Sequence, residues 1–104
     1  MEKEEIKRDG AKPQKNSGRG QIQKGDATKG SFCYDIKEYG KTFTLSEGVW
    51  AKISTDAFKS GNYEPALKIV LGTGNRKTRV WVFGEEMGNQ MMELWEERYG
   101  RGHS

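Results

Sequence analysis

Lys24-Gly25-Asp26-Ala27-Thr28-Lys29-Gly30-Ser31-Phe32-Cys33-Tyr34-Asp35-Ile36-Lys37 is the stretch on which the reading of this chain turns. From Ser31 to Tyr39 the side chains follow the two-residue period of a strand. Phe32, Tyr34 and Ile36 fall on one face, and Cys33, Asp35 and Lys37 on the other. A turn near Lys29-Gly30 would return the chain so that Asp26, on a neighbouring strand, meets Asp35. Two carboxylates can hold a hard cation through oxygen. Such a cation polarises a phosphate and acidifies a bound water, while a lysine at the same point positions that water or offsets charge on the phosphate. The combination suits metal-assisted cleavage of a phosphodiester.

An acid-x-Lys tripeptide alone is weak, because chance supplies about one or two in a chain of this composition. Glu5-Ile6-Lys7 is a second match, but it lies in a helical pattern, where positions i and i+2 do not share a face. The plain alternative for Asp35 and Lys37 is a solvated pair on an edge strand, so their surroundings must decide.

Those surroundings are one small domain, 104 residues with 33% hydrophobic and 32% charged content. The first thirty residues carry two Ile and no aromatic, Leu or Val, and the apolar residues gather between Phe32 and Tyr99. The expected organisation is a single domain over 1–104, with a flexible basic arm at about 9–24 and a frayed end at 100–104. Charge is uneven: residues 1–30 hold 8 Lys/Arg against 5 Asp/Glu, residues 31–84 the same, and residues 85–104 hold 2 against 5. Gly10 to Lys24 contains Lys12, Lys15, Arg19 and Lys24 and no acid, a composition suited to a polyanion backbone or to a solvated tail. Cys33 is the only cysteine and His103 the only histidine, which excludes an internal disulfide and argues against a zinc site. With no apolar run of membrane-spanning length and a charged start, the chain reads as cytoplasmic, with no membrane partner.

Along the chain, Glu2 to Arg8 predicts a short helix stopped by Asp9-Gly10 and Pro13. Glu2, Glu4 and Glu5 are its acids, and one of them could face the Asp26 and Asp35 site. Asn16-Ser17-Gly18-Arg19-Gly20 is a loop whose glycines, Ser17 and Arg19 suit phosphate contact, or simply a flexible turn. Gln21 to Thr28 is a weak strand and Ser31 to Tyr39 a strong one, and Thr42 to Leu45 is short and extended. Ser46 caps a helix running to about Lys59, with Val49, Trp50, Ile53 and Ala57 on its apolar face and Phe58 broadening it. Ala66 to Leu71 and Thr78 to Phe83 form a hairpin, with Arg76, Lys77 and Arg79 near its loop. Glu85 to Tyr99 is a terminal helix whose Met87, Met91, Leu94 and Trp95 are expected to cap the sheet, with a subunit interface as the alternative. The fold class is α/β: a small mixed sheet flanked by helices, in the order α-β-β-β-α-β-β-α.

This order, with Asn16 to Gly20, Lys24-Gly25-Asp26, Asp35-Ile36-Lys37, Lys41 to Ser46, Val49 to Ile53 and Pro65 to Val70, resembles the small phage and archaeal Holliday-junction resolvase-like nucleases of the PD-(D/E)xK superfamily. The resemblance spans Asn16 to Gly84. It implies a restriction-endonuclease-like core, and a Mg²⁺-dependent endonuclease (Mn²⁺ as a substitute) acting on DNA, above all branched DNA, as a homodimer. It makes Asp26 and Asp35 metal ligands, joined by the main-chain carbonyl of Ile36, and Lys37 the catalytic lysine. It places a glutamate of the first helix near the site, Glu5 being favoured as the one furthest from the fraying end. Ser17 and Arg19 match a loop contacting the DNA backbone, and Lys15 and Lys24 extend that surface. The chain departs from the pattern in three ways. Asp35 stands where many relatives have Glu, Gly25 where the superfamily has Pro, and Gly10 shortens the first helix. Two other readings are a non-catalytic DNA-binding module, and a nuclease or nickase without junction selectivity.

Overall fold

The computed structural model describes residues 2–14 and 25–101. Its elements run α1 (Glu2–Asp9), β1 (Lys12–Pro13), β2 (Ala27–Lys29), β3 (Phe32–Tyr39), α2 (Glu47–Gly61), β4 (Glu64–Leu71), β5 (Thr78–Phe83) and α3 (Glu85–Tyr99). Among the described residues five strands form one sheet in sequence order, a mixed α/β architecture with three helices. β3 and β4 are parallel, and every other neighbouring pair is antiparallel. A parallel pair needs a crossover, which α2 supplies.

α1 stops where Gly10 takes φ 68°, a left-handed turn that glycine adopts without strain. Ala11 N then donates to Ile6 O at 3.0 Å, and Lys12 and Pro13 pair with Thr28 and Ala27. The start of the expected arm is thus held as an edge strand, where proline's missing N–H is tolerated. Residues 15–24, which include the first half of the Gln21 to Thr28 strand expectation, lie outside the described residues.

The strand period divides the sheet into two faces. Tyr34, Ile36, Ala66, Lys68, Trp81 and Phe83 share the face that α1 covers, as the register places Ala66 beside Tyr34 and Phe83, and Lys68 beside Ile36 and Trp81. Ile6, Ala27, Tyr34, Ile36, Ala66 and Val70 make the core there. Cys33, Asp35, Lys37 and Leu67 share the opposite face, under α2, where Ile53 and Ala57 are buried.

α2 begins as the sequence predicts, with Ser46 Oγ accepting from Val49 N at 3.1 Å. It runs to Gly61 and ends on Asn62 in the left-handed conformation, φ 60°. Three expectations fail. Thr42 to Leu45 joins no strand. Phe58 is 69% exposed, because it lies off the Ile53–Ala57 line that meets the sheet. α3 does not cap the sheet: none of its residues is buried, and it makes no substantial contact with another element.

Candidate active site

The β2–β3 hairpin turns at Gly30 (φ 59°), and its register sets Ala27 opposite Tyr34. Asp26 is therefore the residue just beyond the ladder, facing Asp35. Its amide donates to Tyr34 O at 3.0 Å, which fixes its backbone. Its side chain does more. Asp26 Oδ2 accepts from Ile36 N at 2.6 Å, so the carboxylate stands in for a carbonyl of the strand that has just ended.

Asp35 projects from the middle of β3, with its side chain 13% exposed, and Lys37 Nζ is 4.0 Å from Asp35 Oδ2. Burial pushes the Asp35 carboxyl up from its ordinary value, and the negative charge of Asp26 adds to the rise. Lys37 and Lys52 pull the other way. The Asp26 charge beside Asp35 thus disfavours the ionised form of Asp35, and a cation between them would relieve that.

Gly25 permits this approach. Its φ is 84°, and a Cβ there would come within 2.8 Å of Cys33 Sγ and 3.5 Å of Asp35 Oδ1. A proline holds φ near about −65° and cannot take this conformation. Gly25→Ala should cost about 1–3 kcal/mol through left-handed strain and overpacking, read as a lower denaturant midpoint at unchanged m.

α2 brings two residues that the strand reading did not single out. Asp56 is 8% exposed and accepts from Lys52 Nζ at 2.8 Å. Its charge also reaches Asp35 and Cys33, and that of Asp35 reaches Lys52. The signal was present in the sequence, since Lys52 and Asp56 are four apart beside Ile53 and Ala57, the residues that meet the sheet.

Glu5 requires a correction. It lies on the other side of the sheet, where both its oxygens are taken by Arg79 (3.0 and 2.9 Å) and one also meets Lys68 Nζ at 2.8 Å. Asp9 bonds Lys68 as well and accepts from Tyr34 Oη at 2.8 Å. These partners hold the Glu5 carboxyl down at about 2, the Arg79 bond being the largest cause. Lys68, 1% exposed in the middle of β4, draws Glu5 and Asp9 of α1 onto the sheet. Ion pairing, rather than distance from the helix end, decides where Glu5 goes.

No protein-family model, curated protein or solved structure matches this chain. Its own geometry must carry the reading.

Among the described residues no group of three or more His, Cys, Asp or Glu side chains could hold a metal ion. The donor set on the α2 face is the pair Asp26 and Asp35. Mg²⁺ is commonly bound by one or two carboxylates while keeping several waters, so two neighbouring hard oxygen ligands fit it. Ser17, Arg19, Lys15 and Lys24, expected to contact DNA, lie outside the described residues. No helix among the described residues is long and apolar enough to cross a membrane.

Proposed function

We propose that this chain is a metal-dependent endodeoxyribonuclease of the PD-(D/E)xK kind, acting on branched DNA such as a four-way junction. The observation that supports it most is the meeting of Asp26 and Asp35 on one sheet face, with Lys37 beside them. The element order α-β-β-β-α-β-β-α accords with a restriction-endonuclease-like core.

In this reading Asp26 and Asp35 hold Mg²⁺, or Mn²⁺ in its place, with the Ile36 carbonyl as a further ligand. The cation supplies Lewis acidity to the phosphate and a more acidic bound water. The chain's own groups do the rest. The Ile36 amide fixes the Asp26 carboxylate in place. Lys37 moves from its 4.0 Å contact with Asp35 to the phosphate or the attacking water. Lys52, exposed at the edge of the site, adds positive charge for a polyanion. Ser17, Arg19, Lys15 and Lys24 serve the DNA backbone.

The test is purified protein with Mg²⁺ or Mn²⁺ on a four-way junction and on matched linear duplex. The expected result is cleavage of the junction, lost in EDTA. A folded sample that cuts neither substrate with either metal would sink the reading. One observation favours a non-catalytic DNA-binding module, namely that Glu5 does not join the pair. That module would bind the junction with steep salt dependence, and Asp35→Ala would leave binding unchanged or improve it.

A further inference from the structure

α3 and the open end of the sheet are two apolar surfaces that the described residues leave uncovered. Met92, Leu94 and Trp95 are each 65% exposed and Tyr99 is 60% exposed. On a helical projection these four fall with Met87 and Met91 on one broad face, while Glu85, Glu86, Glu93, Glu96 and Glu97 fall on the other. Among the described residues this amphipathic helix has no substantial neighbour to cover its apolar face.

On the α1 side of the sheet, α1 is eight residues long and covers only the end marked by Lys68 and Arg79. The other end is a groove of ≈ 380 Å³ lined by Phe32, Tyr34, Ala66, Trp81 and Phe83, with exposed Lys29 at its rim. Trp81 and Phe83 stack at 6.2 Å, and Phe32 and Tyr34 meet them edge-on. Trp81 remains 40% exposed.

We infer that α3 docks in this groove of a second copy, giving a reciprocal homodimer. The chain's own α3 cannot do so readily. Only Gly84 separates Phe83, which lines the groove, from Glu85, whereas strand-to-helix connections usually take about two to six residues. Charge favours the exchange, since residues 85–104 carry 2 Lys/Arg against 5 Asp/Glu while the rest of the chain is net basic and Lys29 stands at the groove. Area favours it too. The exposed α3 side chains present on the order of 500 Å². In a reciprocal pair each protomer contributes both helix and groove, so burial reaches the ~800 Å² per partner of a stable interface. Two equivalent contacts close on themselves, so the assembly stops at two. The inference stands independently of the nuclease reading.

Sedimentation velocity on the full chain tests it. Wild type is expected to be dimeric at tens of micromolar, and Trp95→Glu should weaken association at least ~100-fold. Ser31→Trp, an exposed substitution that fills the groove mouth, should do the same. Both positions are exposed, so circular dichroism should match wild type, and Met92→Glu repeats the α3 arm independently. A monomeric wild type overturns the inference. So does a dimer that survives Trp95→Glu, or one that survives Ser31→Trp, the latter pointing to helix-on-helix pairing instead. A monomer that takes a single-stranded oligonucleotide in the groove would assign the groove to nucleic acid and overturn it as well.

Discussion

Asp35→Asn should reduce Mg²⁺-dependent cleavage about 1,000-fold or more while leaving DNA binding in place. It should also raise the thermal midpoint of the metal-free protein at neutral pH. Both effects come from one carboxyl. In the unfolded chain Asp35 gives up its proton near its ordinary value of 3.8, and in the fold burial and Asp26 raise that value. Ionising it therefore works against folding as pH rises past 3.8 and through the folded value, and the penalty is carried in full above both. Asparagine keeps the shape and removes the charge. Mg²⁺ should reverse the ranking, stabilising wild type by mass action and leaving Asp35→Asn unmoved. Differential scanning fluorimetry with and without Mg²⁺ reads both. A variant stabilised by Mg²⁺ as much as wild type would place the cation elsewhere. Asparagine at position 35 is a cleaner probe than alanine at position 26, because Asp26→Ala would also orphan the Ile36 amide.

Lys68→Met should destabilise the fold by about 3–5 kcal/mol, because it breaks a buried ion-pair cluster. Lys68 is 1% exposed and answers Glu5 and Asp9 together, so its removal takes a buried cation from both, leaving Glu5 to Arg79 and Asp9 to the Tyr34 hydroxyl. The same cluster sets the acid limit of the protein. Glu5 has its carboxyl lowered from 4.5 to about 2, so its contribution is complete above 4.5 and drains away as pH falls toward 2. That interval corresponds to roughly 3 kcal/mol. Urea titrations at pH 6, 4 and 3 should show stability falling with pH, and Glu5→Gln should flatten that dependence. Glu5→Gln also separates structure from chemistry. Because Glu5 faces away from Asp26 and Asp35, cleavage per folded molecule should match wild type. A variant that folds, binds metal and no longer cuts would return Glu5 to the site.

The elements were legible where local chemistry decides them. Alternation from Phe32 to Tyr39 marks β3, the Ser46 hydroxyl marks the start of α2, and Gly10 marks the end of α1. Asp26 and Asp35 were legible because a short hairpin needs only a turn and a period to bring them opposite each other. Glu5 was not. Its place is set by Lys68 and Arg79, residues 63 and 74 positions away, and no periodicity within α1 encodes that choice. Lys68 itself reads as an exposed strand residue until α1 is known to lie over it. Phe58 and α3 misled for a different reason: an apolar pattern shows that a face is to be covered, but not by what.

The bond from the Ile36 amide to Asp26 makes a single proton a witness to the site. In a heteronuclear NMR spectrum this amide should lie well downfield, since a charged acceptor at 2.6 Å deshields it. Its exchange with solvent deuterium should be slower than an amide beyond the end of β2 would otherwise show. A cation that draws charge from Asp26 would shift the resonance without moving the strand. Titrating Mg²⁺ against this one peak would report occupancy in a protein that has no substrate present.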